Sequence, residues 1–453
     1  MTSRGRRPVP RTIGASSRIR LIGPKTFERL ALVLVALPAR LVASRWAPWM
    51  LLVLSVGSRV VITLAGTSPY NMIDLKVYVE GARHLTGGSL YDFVSGASQL
   101  PFTYPPFSAL VFTPLAWLPW TVVRVLWQLA MLASLPAIVY LTLRLLGRAG
   151  PGATDPVRPL RGFLVVATAL AFWLEPVTTT VGYGQINLFL VLMVLGAAVT
   201  AKDLLAGAGV GLAAGIKLIP AVTGLYWLVQ RRIRALILSV VFFLATVAVM
   251  FAMIPAETRR YFTKLIFDPS RTGPVFSAIN QSWRGALSRL AGHDVSAGWV
   301  VACVVTVVLG VWAAVVAAGV GDRAAALLAA QFLGLLVSPI SWSHHWVWVI
   351  PLLIWGFFGP QRQSRAVRGL MIGWLIALYS YLIPFLVALQ GKVPSNSRPG
   401  WQSWLGTAYV VLGVATLIVI GVVGRSSAAP VEAPGRGSGP RRGVGPEAGN
   451  LDG

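Results

Sequence analysis

The chain has 453 residues, of which 56% are hydrophobic and 12% charged. Soluble domains carry about 25% charged residues, so this composition leaves too little polar surface to coat a globule and excludes a soluble protein. The net charge of +25 does not signal nucleic-acid binding, because no compact basic domain carries it, and the single cysteine, Cys303, rules out a disulfide framework or a thiolate metal site.

The basic residues follow a membrane pattern instead. Ten Arg or Lys fall in the first 45 residues against one acid, Glu28, and further clusters occupy 144–161, 230–234 and 362–368. That is the positive-inside distribution, with attraction to anionic lipid heads. Many apolar segments approach the ~20 residues that cross a bilayer core, and none alternates as a strand would. The fold class is an all-α polytopic membrane protein.

Taken in order, residues 1–46 read as a retained basic cytoplasmic tail with an interfacial segment at 30–38 and no cleavable signal. Residues 47–424 form the transmembrane domain, and the Gly-, Pro- and Arg-rich 425–453 form a disordered cytoplasmic tail. The first crossing, 48–65, leads to an outer loop, 66–104. There 74–85 has helical spacing, with Leu75, Val79 and Ala82 on one face, and Thr86-Gly-Gly-Ser stops it. The proline-bounded 105–119 is either a full span or a re-entrant piece.

If it is re-entrant, 121–146 crosses inward, 163–178 outward and 188–200 inward. Residues 204–229 carry Lys217 and Pro220 in their middle, which predicts two short helices meeting near Lys217 on the outer side. The crossing 235–254 then leads to a second outer loop, 255–298. The crossings 299–320, 324–337, 346–358, 370–389 and 405–423 complete about twelve, with both termini inside. This topology gathers Asp74, Tyr104, Gln185, Asn187, Lys217, Asn280, Gln281, Arg284, Trp342, His344 and His345 on one outer face.

Asp74 is a carboxylate at the membrane–water boundary beside Phe102-Thr-Tyr-Pro-Pro-Phe107. It reads either as a helix N-cap or as a general base. His344 and His345, flanked by Trp342, Trp346 and Trp348, read as a structural pair, as metal ligands, or as donors to a phosphate or sugar oxygen. Adjacent histidines rarely ligate one ion alone, and no third ligand is nearby in sequence.

Lys217 and Arg59 are cations inside apolar runs, where burial demands an anion unless the side chain snorkels. A lipid phosphate is the obvious anion, and Arg284 is a further candidate to bind it. Tyr104, Gln185, Asn187, Asn280, Gln281 and Trp342 are the other pocket candidates. No Walker loop, GxGxxG or HExxH occurs. With no soluble nucleotide-binding domain, a sugar donor would be lipid-carried. A lone acid without a partner carboxylate nearby predicts no metal and no other cofactor.

Asp74-Leu-x-Val-Tyr-Val-x-Gly-Ala, Pro101-Phe-Thr-Tyr-Pro-Pro-Phe107, Tyr183-Gly-Gln-Ile-Asn187, Gly215-Ile-Lys-Leu-Ile-Pro220, the 276–284 run ending Asn-Gln-Ser-Trp-Arg, and Ser338-Pro-Ile-Ser-Trp-Ser-His-His-Trp-Val-Trp348 together resemble the GT-C type glycosyltransferases of family 87. The likeness covers about 50–423. It implies an inverting transfer on the periplasmic face of the plasma membrane. Mannose would leave a β-linked polyprenyl phosphate and join, in α linkage, the 2-hydroxyl of a mannose on a phosphatidylinositol mannoside.

The resemblance also implies Asp74 as the base and places the His344-His345 motif near the donor phosphate. The roles of Lys217 and Arg284 rest on the charge argument. Two alternatives stay open: a same-fold transferase using an arabinofuranosyl donor or a lipomannan acceptor, and a lipid or sugar transporter. A transporter should show paired broken helices in two similar halves, and no such internal repeat is seen.

Overall fold

The computed structural model describes residues 40–64, 72–96, 99–390 and 400–428. The predicted interfacial segment 30–38, nearly all of the basic tail and residues 429–453 lie outside them. Among the described residues the regular structure is helical, with two isolated antiparallel bridges, Val94–Pro101 and Asn280–Trp342.

Four helices are long and apolar enough to cross a membrane on their own: Trp120–Leu145, Ile233–Met253, Ser296–Gly319 and Ala408–Ser426. Their apolar side chains look outward. Ile237, Val240, Val241, Leu244 and Phe251 on one helix, and Val300, Val301, Val304, Val305 and Val308 on another, are exposed. Rows of this length suit lipid rather than water. The last helix runs on to Ala428, past the predicted boundary at 424.

The other predicted crossings are built from shorter pieces. The segment expected to cross at 163–178 is two helices, Leu160–Ala171 and Glu175–Tyr183, bent by 74°. Pro176 lies in the first turn of the second helix, where its missing N–H costs no intrahelical bond. Likewise 370–389 is Arg365–Tyr379 and Leu382–Gln390, bent by 42°. The predicted crossing 346–358 is a 3-10 segment, Ser343–Trp348, followed by the helix Val349–Phe358.

The helix Pro106–Ala116 has 11 residues. At 1.5 Å per residue it cannot span a ~30 Å hydrocarbon core. Both its flanks adjoin the helix Ile73–Arg83, Tyr104 through Tyr78 (hydroxyls 2.8 Å apart) and Trp120 through Lys76, whose ammonium lies 5.6 Å from the indole centroid.

The break at Lys217 is present. Helix Asp203–Ile216 ends there, Lys217 is extended (φ −151°, ψ 130°), and a 3-10 turn Ile219–Val222 leads into Thr223–Val229. Lipid gives helices little hydrophobic reason to associate, so close backbone approach through small residues does the work. Gly207, Gly211 and Gly215, four apart, press Asp203–Ile216 against Ile233–Met253. A Cβ on Gly211 would lie 2.5 Å from the Ser239 carbonyl oxygen, and one on Gly215 2.6 Å from Thr246 Oγ1. This contact fixes the helix end from which Lys217 projects.

Candidate active site

Asp74 lies in the first turn of Ile73–Arg83, but Met72, in the left-handed region (φ 51°), is the N-cap and no side chain caps this end. The N-cap reading of Asp74 is thus corrected: its carboxylate is available to other partners. Oδ2 accepts a hydrogen bond from Gln185 Nε2 at 2.6 Å. Gln185 Oε1 in turn accepts from the Tyr78 and Tyr104 hydroxyls at 2.8 and 2.9 Å. Two hydroxyls on the carbonyl oxygen fix the amide orientation, so that the NH₂ faces the carboxylate.

A glycine makes this contact possible. Gly184 ends the helix Glu175–Tyr183 with φ 72°, and a Cβ there would lie 2.7 Å from Leu75 Cβ. The turn brings Gln185 onto the Asp74 helix, where Met72 N–H donates to the Gly182 carbonyl at 3.0 Å. Burial pushes the Asp74 carboxyl up to about 6, against the lowering effects of the Gln185 hydrogen bond and the Lys217 charge. A carboxylate with this value is poised as a base near neutral pH.

A second cluster faces the same cavity. Lys217 Nζ donates to Asn187 Oδ1 at 2.9 Å and lies 3.1 Å from His345 Nε2 and 5.1 Å from the centre of the Tyr104 ring. Asn187 Nδ2 and Thr180 Oγ1 both donate to the His344 carbonyl oxygen, at 2.8 and 3.0 Å. The His344 ring lies edge-on to Tyr183. Among the described residues neither His344 ring nitrogen has a hydrogen-bond partner, nor has His345 Nδ1. Buried polar atoms in this state call for a ligand or water.

The cavity measures about 430 Å³. Asp74, Tyr104, Gln185, Lys217, Trp342, His344 and His345 all line it, as do Tyr78, Tyr183 and Arg271, which sequence reasoning did not select. Asn187 stands behind Lys217. No group of three or more His, Cys, Asp or Glu side chains placed to hold one metal ion occurs among the described residues.

Three predicted residues are placed elsewhere. The Arg284 guanidinium binds Asp294 at 2.5 Å, lies 5.5 Å from the centre of Trp299, and does not line the cavity. Asn280 and Gln281 are fully buried and serve the backbone. Asn280 Oδ1 accepts from the Ser341 N–H at 2.9 Å, and Gln281 Nε2 donates to the Gly406 carbonyl at 2.7 Å. They hold the loop before His344 from behind.

One functional candidate was missed altogether. Glu175 is wholly buried and accepts hydrogen bonds from Thr179 (2.7 Å), Ser343 (2.8 Å) and Tyr409 (2.7 Å). It is an acid in an apolar run, which is the signal that singled out Lys217.

The model of glycosyltransferase family 87 matches residues 102–339. The polyprenol-phosphate-mannose-dependent alpha-(1-2)-phosphatidylinositol pentamannoside mannosyltransferase of Mycolicibacterium smegmatis is 43% identical over 84% of this chain and 92% of its own length. The protein of the same description from Mycobacterium tuberculosis strain CDC 1551 is 42% identical over 81% of this chain and 85% of its own length. A polyprenol-phosphate-mannose-dependent alpha-(1-2)-phosphatidylinositol mannoside mannosyltransferase of M. tuberculosis strain H37Rv is 30% identical over 83% and 90%. No solved structure matches the chain. A match over more than half the chain, with relatives this similar along most of their length, makes the chain a member of glycosyltransferase family 87.

Proposed function

We propose that this enzyme is an inverting α-1,2-mannosyltransferase. It moves mannose from polyprenyl-phosphate-mannose to the 2-hydroxyl of a mannose on a phosphatidylinositol mannoside, at the outer face of the plasma membrane. The observation that carries this reading is that one cavity is lined by a raised carboxylate, Asp74, and by a cationic pole, Lys217 with His345. Tyr104 links them, bonded to Gln185 and lying beneath the Lys217 ammonium. The names of the similar mycobacterial enzymes support the choice of donor, acceptor and linkage.

The acceptor hydroxyl attacks the anomeric carbon on the face opposite the phosphate. Asp74 takes the hydroxyl proton as the new C–O bond forms. The electron pair of the breaking bond leaves with the phosphate, whose charge Lys217 and the histidine pair stabilise. Attack from the opposite face turns a β-linked donor into an α-linked product. No step of this reading uses a metal.

The test is product formation from labelled polyprenyl-phosphate-mannose and a tetramannosylated phosphatidylinositol. Purified wild type and Asp74→Asn are compared in nanodiscs with EDTA present. An α-1,2-linked product from wild type, lost in the variant, is expected. Wild type that yields no product sinks the reading.

A further inference from the structure

The cavity has room for more than one sugar. At about 430 Å³ it falls in the range that encloses a drug-sized ligand, larger than one hexose. Two cations line it. Lys217 belongs to the pole described above, and Arg271 stands on a loop that also supplies Asp268, Thr272 and Gly273 to the lining. This loop follows the helix Pro255–Thr263, beyond the end of the long apolar helix Ile233–Met253.

The loop is built. Asp268 Oδ1 accepts from the Ser270 N–H at 3.1 Å and from its hydroxyl at 2.5 Å, and so caps the 3-10 turn Pro269–Thr272. Thr272 Oγ1 donates to the Pro269 carbonyl at 2.5 Å, and Arg271 Nη2 to the Tyr91 carbonyl at 2.9 Å. Gly273 has φ 128°, and a Cβ there would lie 3.2 Å from the edge of the Trp342 indole. The loop that carries the arginine thereby backs onto an aromatic ring only two residues from His344, and that ring lines the same cavity. Tyr261 adds a second ring to the same lining.

We infer that Arg271, with Asp268, Thr272 and Trp342, forms a subsite for the acceptor sugar next to the one that is attacked. A guanidinium donates paired N–H groups to neighbouring hydroxyl oxygens, a carboxylate accepts from hydroxyls, and an aromatic ring covers the apolar C–H face of a pyranose. All three line this cavity, on residues other than the Lys217–His345 pole that suits the donor phosphate. The attacked mannose occupies the Asp74 end, and the next sugar of its chain lies against Arg271. Arg271 is a specificity determinant and takes no part in the chemical step.

The inference rests on the mannosyl-transfer reading, and the test separates the two. Full-length enzyme in nanodiscs is given polyprenyl-phosphate-mannose and either of two synthetic acceptors without phosphate: an octyl mannoside and an octyl mannosyl-mannoside. Arg271→Ala should raise KM for the two-sugar acceptor by about tenfold or more, the scale of lost hydrogen bonds from a charged donor. KM for the one-sugar acceptor and for the donor should stay within about twofold, a fraction of one such bond.

Equal losses on both acceptors, or a change confined to donor KM, would overturn the subsite while leaving the transferase reading intact. Wild type inactive on both acceptors and on a tetramannosylated phosphatidylinositol overturns both. If Arg271→Ala does not fold, Arg271→Lys decides the same comparison. It keeps the charge but loses the planar fork, so the two-sugar acceptor alone should weaken.

Discussion

Gln185 holds Asp74 by a single 2.6 Å hydrogen bond while its carbonyl oxygen takes the hydroxyls of Tyr78 and Tyr104. The amide therefore aims one carboxylate oxygen and leaves the other to the cavity. Gln185→Ala should lower kcat by roughly 10- to 100-fold, the scale of a hydrogen bond to a charged group. Tyr104→Phe, which leaves the amide one hydroxyl, should cost less. Steady-state kinetics on the two variants checks the order, and an unimpaired Gln185→Ala would dismiss the amide's role.

The pH profile carries a signed consequence. Asp74 must be ionised to accept a proton, and burial raises its carboxyl to about 6. Activity should therefore rise with pH through about 6 and level off above it. Because the Gln185 bond lowers this value, Gln185→Ala should move the acid limb to higher pH, with burial then opposed by the Lys217 charge alone. A kcat/KM profile flat between pH 5 and 8, in both enzymes, would argue against Asp74 as the titrating base.

Much of this site was legible from residue type and position. Asp74, Lys217 and the histidine pair stood out as polar groups in apolar surroundings, and Lys217 and Pro220 announced the broken helix. Glu175 met the same criterion but lay inside a segment read as one uninterrupted crossing, and the bend at 172–174 gives it its place. Arg284 was legible as a cation near the right motif. Its engagement with Asp294, ten residues on, depends on a loop that sequence spacing does not define. Asn280 and Gln281 show the converse: polar residues of a recognisable motif whose hydrogen-bonding capacity goes to backbone of other loops.

The glycine seam between Asp203–Ile216 and Ile233–Met253 makes a prediction about packing. A methyl on Gly211 meets a backbone oxygen, which cannot rotate away. Gly211→Ala should cost about 1–3 kcal/mol or more, as overpacking does, and should lower activity by displacing Lys217. Gly196→Ala is the control, since nothing lies within 4 Å of a Cβ there. Thermal unfolding in detergent should rank Gly211→Ala well below Gly196→Ala and wild type. Equal midpoints would mean the seam is not as close as described.

Glu175 closes the set because it joins three elements, the histidine loop among them. Its carboxylate accepts from Ser343, which precedes His344, from Thr179 on its own helix, and from Tyr409 on the last helix. A wholly buried carboxylate is tolerable only while such donors are in place. Tyr409→Phe removes one donor and should cost about 1–3 kcal/mol, the penalty for a polar group left unsatisfied. Glu175→Ala strands three hydroxyls at once and opens a void, so its loss should exceed that of Tyr409→Phe. Activity should fall alongside stability, because Ser343 then no longer holds His344 against Tyr183. Melting curves and initial rates on the two variants decide it: a Glu175→Ala enzyme as stable and as fast as wild type would show that the histidine loop keeps its place without this anchor.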